Sequence, residues 1–510
     1  MNQDDSALAL IPTAIVGLLL FDQLNTLTGA SRLIFIFICG VFTIAAAVIY
    51  YQFFSARAQE HREKRRIASE IPRELKVPGE TSIFLGQEEN LEIPIFISDQ
   101  IRLRHIHVLG ATGSGKTESV ILNFLRQDVE RGLGGIILDA KGDHSFLRHL
   151  WNWIPQERLK VFDLSDPKSS GYDPLQAGLP LEAAQRLFSS LTWSEEYYKS
   201  KALSALQRIF QIYFKRHDKN PSLRDLANYL EHPDAFAAFT MSHDYPANLA
   251  AKEFQDLLGL RDQVRSLCIG HLGEILSPKS DSIDLCDSES GAVIYFRLQS
   301  LMSPQVVSTL GKLIINHLSF LAGTAHRDGG KMHKLVPVYL DEFASFACPE
   351  FADLVSKARS AGMALHFSHQ SIGDLTEISA GFLNKITDNS ATKIILRIND
   401  PDSAEFFSRS FGTKIYQKVT QRITNAKEIR DAEIVGEGTT REAHQFRTPP
   451  DIFKTLPTGH GAVLIAHGQD TPHGASSVFR IRFPDIRSLP DVTKYNNNRC
   501  LDDRARVQYN

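Results

Sequence analysis

The sequence predicts an α/β protein built on a mainly parallel sheet. Short apolar runs such as HIHVL (105–109), GGIILDA (134–140), LVPVYL (335–340) and MALHFS (363–368) recur along the chain, separated by segments with helical apolar spacing. That alternation is the pattern of strand–helix–strand units. One of these runs leads directly into Gly110-Ala-Thr-Gly-Ser-Gly-Lys-Thr117, and another ends in Asp341-Glu342. Both features belong at the carboxyl edge of such a sheet, where phosphate chemistry is done.

Composition sets the bounds. The chain has 510 residues, 43% hydrophobic and 23% charged, an ordinary globular balance for two or three domains. The formal net charge of -3 shows no global basic excess, so a nucleic-acid partner must be held by a local basic surface. The cysteines, Cys39, Cys268, Cys286, Cys348 and Cys500, are scattered without a CxxC pair, which argues against a disulfide framework or a zinc site. His105 and His107 alternate along a strand, and His144 and His149 lie five apart; neither pair has metal-ligand partners at suitable spacing.

The N-terminus reads as a membrane hairpin. Residues 7–21 and 33–54 are apolar, and the second run has 22 residues without a charge. A helix needs about 20 such residues to cross the hydrocarbon core. The flank MNQDD is acidic where a signal peptide requires positive charge. The second run is followed by five Lys/Arg within 55–66, whereas the loop 22–32 carries only Arg32. The positive-inside rule then places the N-terminus and the main body in the cytoplasm.

The pattern GxxxxGK[ST] stands in its required strand–loop–helix context. Gly110, Ala111, Thr112, Gly113, Ser114 and Gly115 are expected to cradle phosphate oxygens with backbone N–H groups, aided by the helix N-terminus. Lys116 is expected to reach the β- and γ-phosphates of ATP or GTP, and the Thr117 hydroxyl to bind Mg²⁺. Asp341 is expected to hold that Mg²⁺, and Glu342 to orient or deprotonate the hydrolytic water. Gln370, just after MALHFSH, is placed to sense the γ-phosphate or its water.

The pieces RHIHVLGATGSGKTES (104–119), ILDAKGD (137–143), VYLDEFASF (338–346), KARSAGMALHFSHQS (357–371) and NSATKIILRINDPDSAEFFSRSFG (389–412), with the hairpin, resemble the TraD/TraG-type coupling proteins of conjugative type IV secretion, relatives of the FtsK and HerA DNA motors. The resemblance runs to about residue 485. It implies a RecA-like core and a homo-hexamer in the bacterial inner membrane, with ATP between adjacent subunits. It also implies that Arg359 is an arginine finger acting on a neighbouring subunit's γ-phosphate. The implied cargo is single-stranded DNA with its attached relaxase, and the implied partners are the relaxosome, the secretion channel and membrane lipid. Asn389 and Arg397 lie in a family-like stretch without a definite role.

The expected organisation follows. Residues 1–56 form the transmembrane hairpin, 57–180 the first part of the nucleotide-binding domain, 181–287 an all-helical insertion, 288–485 the second part and 486–510 a tail. SIFLG and IPIFI form a hairpin ahead of the core. KVFDL (160–164), GAVIYFRL (291–298) and ATKIILRI (391–398) add strands, and HGAVLIAHG (460–468) with SSVFRIRFP (476–484) form a closing hairpin. Residues 413–450 lack a core pattern and read as a hairpin or loop. Delivery of protein effectors and a nucleotide-stabilised docking scaffold stay open beside DNA transport, with a double-stranded DNA pump lower.

Overall fold

The computed structural model describes residues 71–486, apart from 241–252, 328–333, 424–433 and 467–475, together with a few isolated positions before 71. The two expected membrane spans, 7–21 and 33–54, and the tail from 487 lie outside the described residues. Among the described residues one helix, Pro304–Arg327, is long and apolar enough to cross a membrane. Val307, Leu310, Ile314 and Leu318 bury its face in the core, and it packs against the helices Pro180–Ser190 and Pro349–Ala361.

The strands are β1 (Ser82–Glu88), β2 (Pro94–Ser98), β3 (Ile106–Leu109), β4 (Gly135–Asp139), β5 (Leu159–Asp163), β6 (Val293–Arg297), β7 (Val336–Asp341), β8 (Met363–His369), β9 (Thr392–Ile395), β10 (Thr413–Ile423), β11 (Ile434–Phe446), β12 (His460–Ala466) and β13 (Ser476–Arg482). Eleven of them form one sheet in the order β2-β1-β13-β12-β9-β3-β8-β7-β4-β6-β5. From β9 to β5 all neighbours are parallel, and β12, β13, β1 and β2 extend the sheet antiparallel. Among the described residues, strands β10 and β11 pair only with each other.

The central strands are buried along their whole length because both faces of the sheet are covered. Consecutive residues therefore feed different cores. Ile136, Leu138, Val338 and Leu340 join one, whereas Ile137 and Tyr339 join the other with Val120, Phe124 and Val129 of the helix after β3. The first core is continuous with Leu206, Phe210, Leu226 and Leu260 of the helices between 180 and 288, where the described residues hold no strand. That helical insertion thus shares a core with the sheet.

A buried ionic network fastens the second core. Arg102 and Asp128 are both fully enclosed, with Nη1 to Oδ1 at 2.8 Å and Nη2 to Oδ2 at 2.6 Å. The Tyr339 hydroxyl donates to Asp128, and Arg102 Nε faces His366 Nε2 at 3.3 Å. The helix behind the phosphate loop is thereby tied to β7 and β8. Burial works to raise the Asp128 carboxyl, but the Arg102 charge prevails and holds it at about 2.

Candidate nucleotide site

Strand β3 delivers the chain to the carboxyl edge of the sheet. There Gly110 N donates to His369 O at 3.2 Å and Ala111 N to Arg397 O at 2.8 Å, so both flanking strands hold the start of the loop. Arg397 therefore contributes its carbonyl. Gly113 and Gly115 adopt φ of 74° and 100°, which favours glycine. A Cβ at Gly110 would stand 2.5 Å from Ser114 Oγ. The loop passes into a π-helical turn, Lys116–Ile121, and then the α-helix Leu122–Glu130.

Lys116 is 5% exposed, and its Nζ donates to Gly110 O at 2.7 Å and lies 3.7 Å from Glu342 Oε1. The ammonium thus spans the loop interior and faces the end of β7. Thr117 Oγ1 donates to Asp341 Oδ2 at 2.6 Å. Asp341 Oδ1 accepts from Ser368 Oγ on β8. Glu342 leaves β7 with φ 50° and ψ 49°, a left-handed conformation costly for a residue with a Cβ. Gln370 ties the set together: its Nε2 donates to Glu342 Oε2 at 3.1 Å, and its Oε1 accepts from Thr112 Oγ1 at 3.1 Å. Asp374 accepts from the backbone N–H groups of Gln370 and Ser371, both at 3.0 Å, which fixes the loop that carries Gln370.

These groups line a cleft of about 550 Å³. Its far wall comes from β4, where Asp139 lies in register with Asp341. Asp139 accepts from the Tyr295 hydroxyl at 2.6 Å and from the N–H groups of Lys141 and Gly142, both at 2.9 Å. Burial, followed by the charge of Asp341, pushes its carboxyl up to about 6. A turn distant in sequence closes the other side. Thr458 Oγ1 donates to Gly113 O at 3.3 Å and Gly459 N to Ser114 O at 3.2 Å. The sequence reading did not single out Asp139 or Thr458. The strand GGIILDA ending in an acid was the available signal for the first, and nothing local marks the second.

The residues fit a nucleotide with Mg²⁺. The glycines leave a backbone cradle, Lys116 supplies a buried cation, and Thr117 with Asp341 presents two oxygen donors side by side. Arg359 alone among the expected site residues stands apart. It is exposed on the last turn of the helix Pro349–Ala361, before β8, whereas Gln370 follows β8. Six residue steps along that strand separate the two ends by roughly 20 Å. Arg359 forms no hydrogen bond or ion pair among the described residues. His105, at the same end as Arg359, is buried, and desolvation lowers it to about 4. His107 and His369 face each other, Nε2 to Nε2 at 2.5 Å, buried behind the phosphate loop.

Fold and site together define a P-loop NTPase. The family model described as the central domain of the helicase HerA matches residues 83–250, and the model described as the TraM recognition site of TraD and TraG matches residues 336–452. The type 4 coupling protein DotL of Legionella pneumophila is 21% identical over 425 residues, which cover 68% of this chain and 54% of DotL. The chain therefore spans about half the length of this curated relative. The bacterial conjugative coupling protein TrwBΔN70 is similar in fold, with a TM-score of 0.57, 16% identity and coverage of 78% of this chain and 88% of that one. The plasmid coupling protein TrwB in complex with ADP and Mg²⁺ gives 0.55 at 17% identity, covering 78% and 90%. The resemblance to type IV coupling proteins of the TraD/TraG type is thus carried by family models, a curated relative and solved structures alike.

Proposed function

We propose that this protein is an ATP-driven motor that passes single-stranded DNA, with its attached relaxase, to a type IV secretion channel at the bacterial inner membrane. The reading is supported first by the convergence of Lys116, Thr117, Asp341, Glu342 and Gln370 on one cleft, with Arg359 at the opposite end of β8. A site lacking only its far-side cation is finished by a second copy. We therefore read the working form as a homo-hexamer with a nucleotide between neighbours. The N-terminal apolar runs supply the membrane anchor in this reading, and lipid, relaxosome and channel are the partners.

In each site Lys116 would neutralise the β- and γ-phosphates, and Thr117 and Asp341 would hold Mg²⁺. When bound, the ion offsets the charge on the transferring group. Glu342 orients the attacking water and accepts its proton, and Gln370 reports that state to Thr112 and the phosphate loop. The partner copy's guanidinium, Arg359 in each chain, stabilises charge spreading over the phosphoryl oxygens, worth about 10³–10⁵ in rate.

The test is ATP turnover of the full chain with and without single-stranded DNA, beside Lys116→Ala and Arg359→Ala. Stimulation by DNA, abolished by both substitutions, supports the motor. Turnover indifferent to DNA in an assembled protein overturns the DNA reading and moves protein cargo ahead. Unchanged function in both variants points to a scaffold.

A further inference from the structure

Two buried histidines lie directly behind the phosphate loop and take no part in the chemistry assigned above. His107 belongs to β3, which runs into Gly110, and His369 ends β8 beside it. Both are fully enclosed. Their rings stack at 4.8 Å between centroids, with Nε2 facing Nε2 at 2.5 Å. Phe367 and Phe407 pack against His107 and complete an apolar housing. Burial, followed by the neighbouring His369 and Lys393, pushes His107 well below the usual histidine range, so its ring is neutral near pH 7.

The hydrogen bonds fix where the protons stand. His369 Nδ1 faces Ser371 O at 2.8 Å, and a carbonyl only accepts, so Nδ1 carries the proton. In the neutral ring Nε2 is then bare and accepts, which makes His107 Nε2 the donor. His107 Nδ1 is left without a proton, and it is the one ring nitrogen of the pair that has no hydrogen-bond partner. The opposite direction would place a buried N–H there with nothing to receive it, the rarer kind of orphan. A single proton therefore bridges the two rings.

His369 also stands at a junction. Its carbonyl accepts from Gly110 N at 3.2 Å, where the phosphate loop begins. Its ring grips the Ser371 carbonyl, while Asp374 takes the N–H groups of Gln370 and Ser371, both at 3.0 Å. The turn that carries Gln370 is thereby held from both sides, and the Gln370 side chain spans Glu342 Oε2 and Thr112 Oγ1. We propose that His107 and His369 are positioning residues for Gln370: the bridging proton orients the His369 ring, and the ring sets the turn that aims Gln370 at Glu342. The proposal rests on the hydrolytic reading of Glu342 and Gln370. Neither histidine lines the nucleotide cleft, so both act through Gln370. A misplacement of about 1 Å near reacting groups costs on the order of 10²-fold in rate.

The test is ATP turnover of the full chain, with kcat and KM separated. His107→Phe keeps the volume and the stacking but removes the donor. Its kcat is expected to fall about ten- to a hundredfold, with KM for ATP within about twofold of the wild type. His107→Gln, whose Nε2 donates from a similar reach, is expected to stay within about threefold of the wild-type kcat. In a chain that already carries Gln370→Ala, His107→Phe should cost nothing further, because the pair then has nothing to aim. If His107→Phe fails to fold, His107→Met, a flexible filler without a donor, carries the same expectations. Three results overturn the proposal and leave the motor reading intact: wild-type kcat in the donor-free variant, a loss in His107→Gln as large as in that variant, or losses that multiply with Gln370→Ala. Full turnover in Gln370→Ala removes the sensor role and the proposal with it. A wild type that hydrolyses no ATP overturns the motor reading as well.

Discussion

Thr117 and Asp341, 224 residues apart in the chain, meet through a 2.6 Å hydrogen bond from hydroxyl to carboxylate. One begins the helix after the phosphate loop and the other ends β7, so their contact sets two oxygen donors side by side where the proposed Mg²⁺ would bind. Thr117→Ala removes one ligand and leaves the cradle intact. Nucleotide binding without Mg²⁺ is expected to persist, and ATP turnover to fall at least a hundredfold with a raised Mg²⁺ requirement. Titration of turnover against Mg²⁺ checks this; an unchanged midpoint removes Thr117 from the ion site.

Glu342, the proposed hydrolytic base, holds a left-handed backbone at the end of β7. Stability and activity should therefore separate there. Glu342→Gln is expected to keep nucleotide binding while turnover falls about 10²–10⁴-fold. Glu342→Gly should abolish turnover equally and, by relieving the backbone, raise stability by about 1 kcal/mol. Denaturant midpoints of the two variants, compared with the wild type, read the second effect directly.

Much of the core and the site was legible in the sequence, for a physical reason. A buried parallel strand must be a short apolar run, and a phosphate cradle must be glycine-rich at a strand–helix junction. Both signals are local. What the sequence did not reveal is made by distant segments meeting. Gly459 N reaches Ser114 O across some 345 residues, and Asp139 becomes part of the cleft only because β4 lies beside β7. For 413–450 the sequence allows a hairpin or a loop, because polar residues without a core pattern fit both, and the described residues there pair as a two-stranded ribbon. Helical periodicity between 181 and 287 likewise could not show that Leu206 and Phe210 share a core with Leu340.

The Arg102–Asp128 pair makes a stability prediction. Arg102→Met leaves a buried carboxylate without its main counter-charge and should cost about 3–5 kcal/mol, whereas Arg102→Met with Asp128→Leu should recover most of the loss. The pH dependence has a definite sign. Asp128 is held at about 2 in the fold, below its ordinary value of 3.8, so its contribution is present above about pH 4 and is lost as pH falls towards 2. Urea unfolding of the wild type and of the double variant across pH 2–5 measures it. The double variant should show the shallower decline.

The placement of Arg359 leads to a mixing experiment. Arg359 precedes β8 and Gln370 follows it, so a fully buried strand roughly 20 Å long lies between the arginine's end of the sheet and its own phosphate loop. No side-chain rotation covers that distance, since an arginine reaches only about 7 Å from its Cα. If Arg359 serves catalysis, it serves a neighbour. Lys116→Ala and Arg359→Ala should each be inactive alone. Co-assembled from separately purified chains, they should recover part of the turnover, because some interfaces then join an intact Lys116 to an intact Arg359. A double variant carrying both substitutions, mixed with wild type, should not exceed the activity of the wild-type interfaces left. Turnover in the assembled mixture, against each variant alone at equal concentration, decides the point. Recovery shows a site shared between copies. If Arg359→Ala alone retains wild-type turnover, the arginine is an ordinary surface residue, and the far-side cation must be sought elsewhere on the neighbouring face.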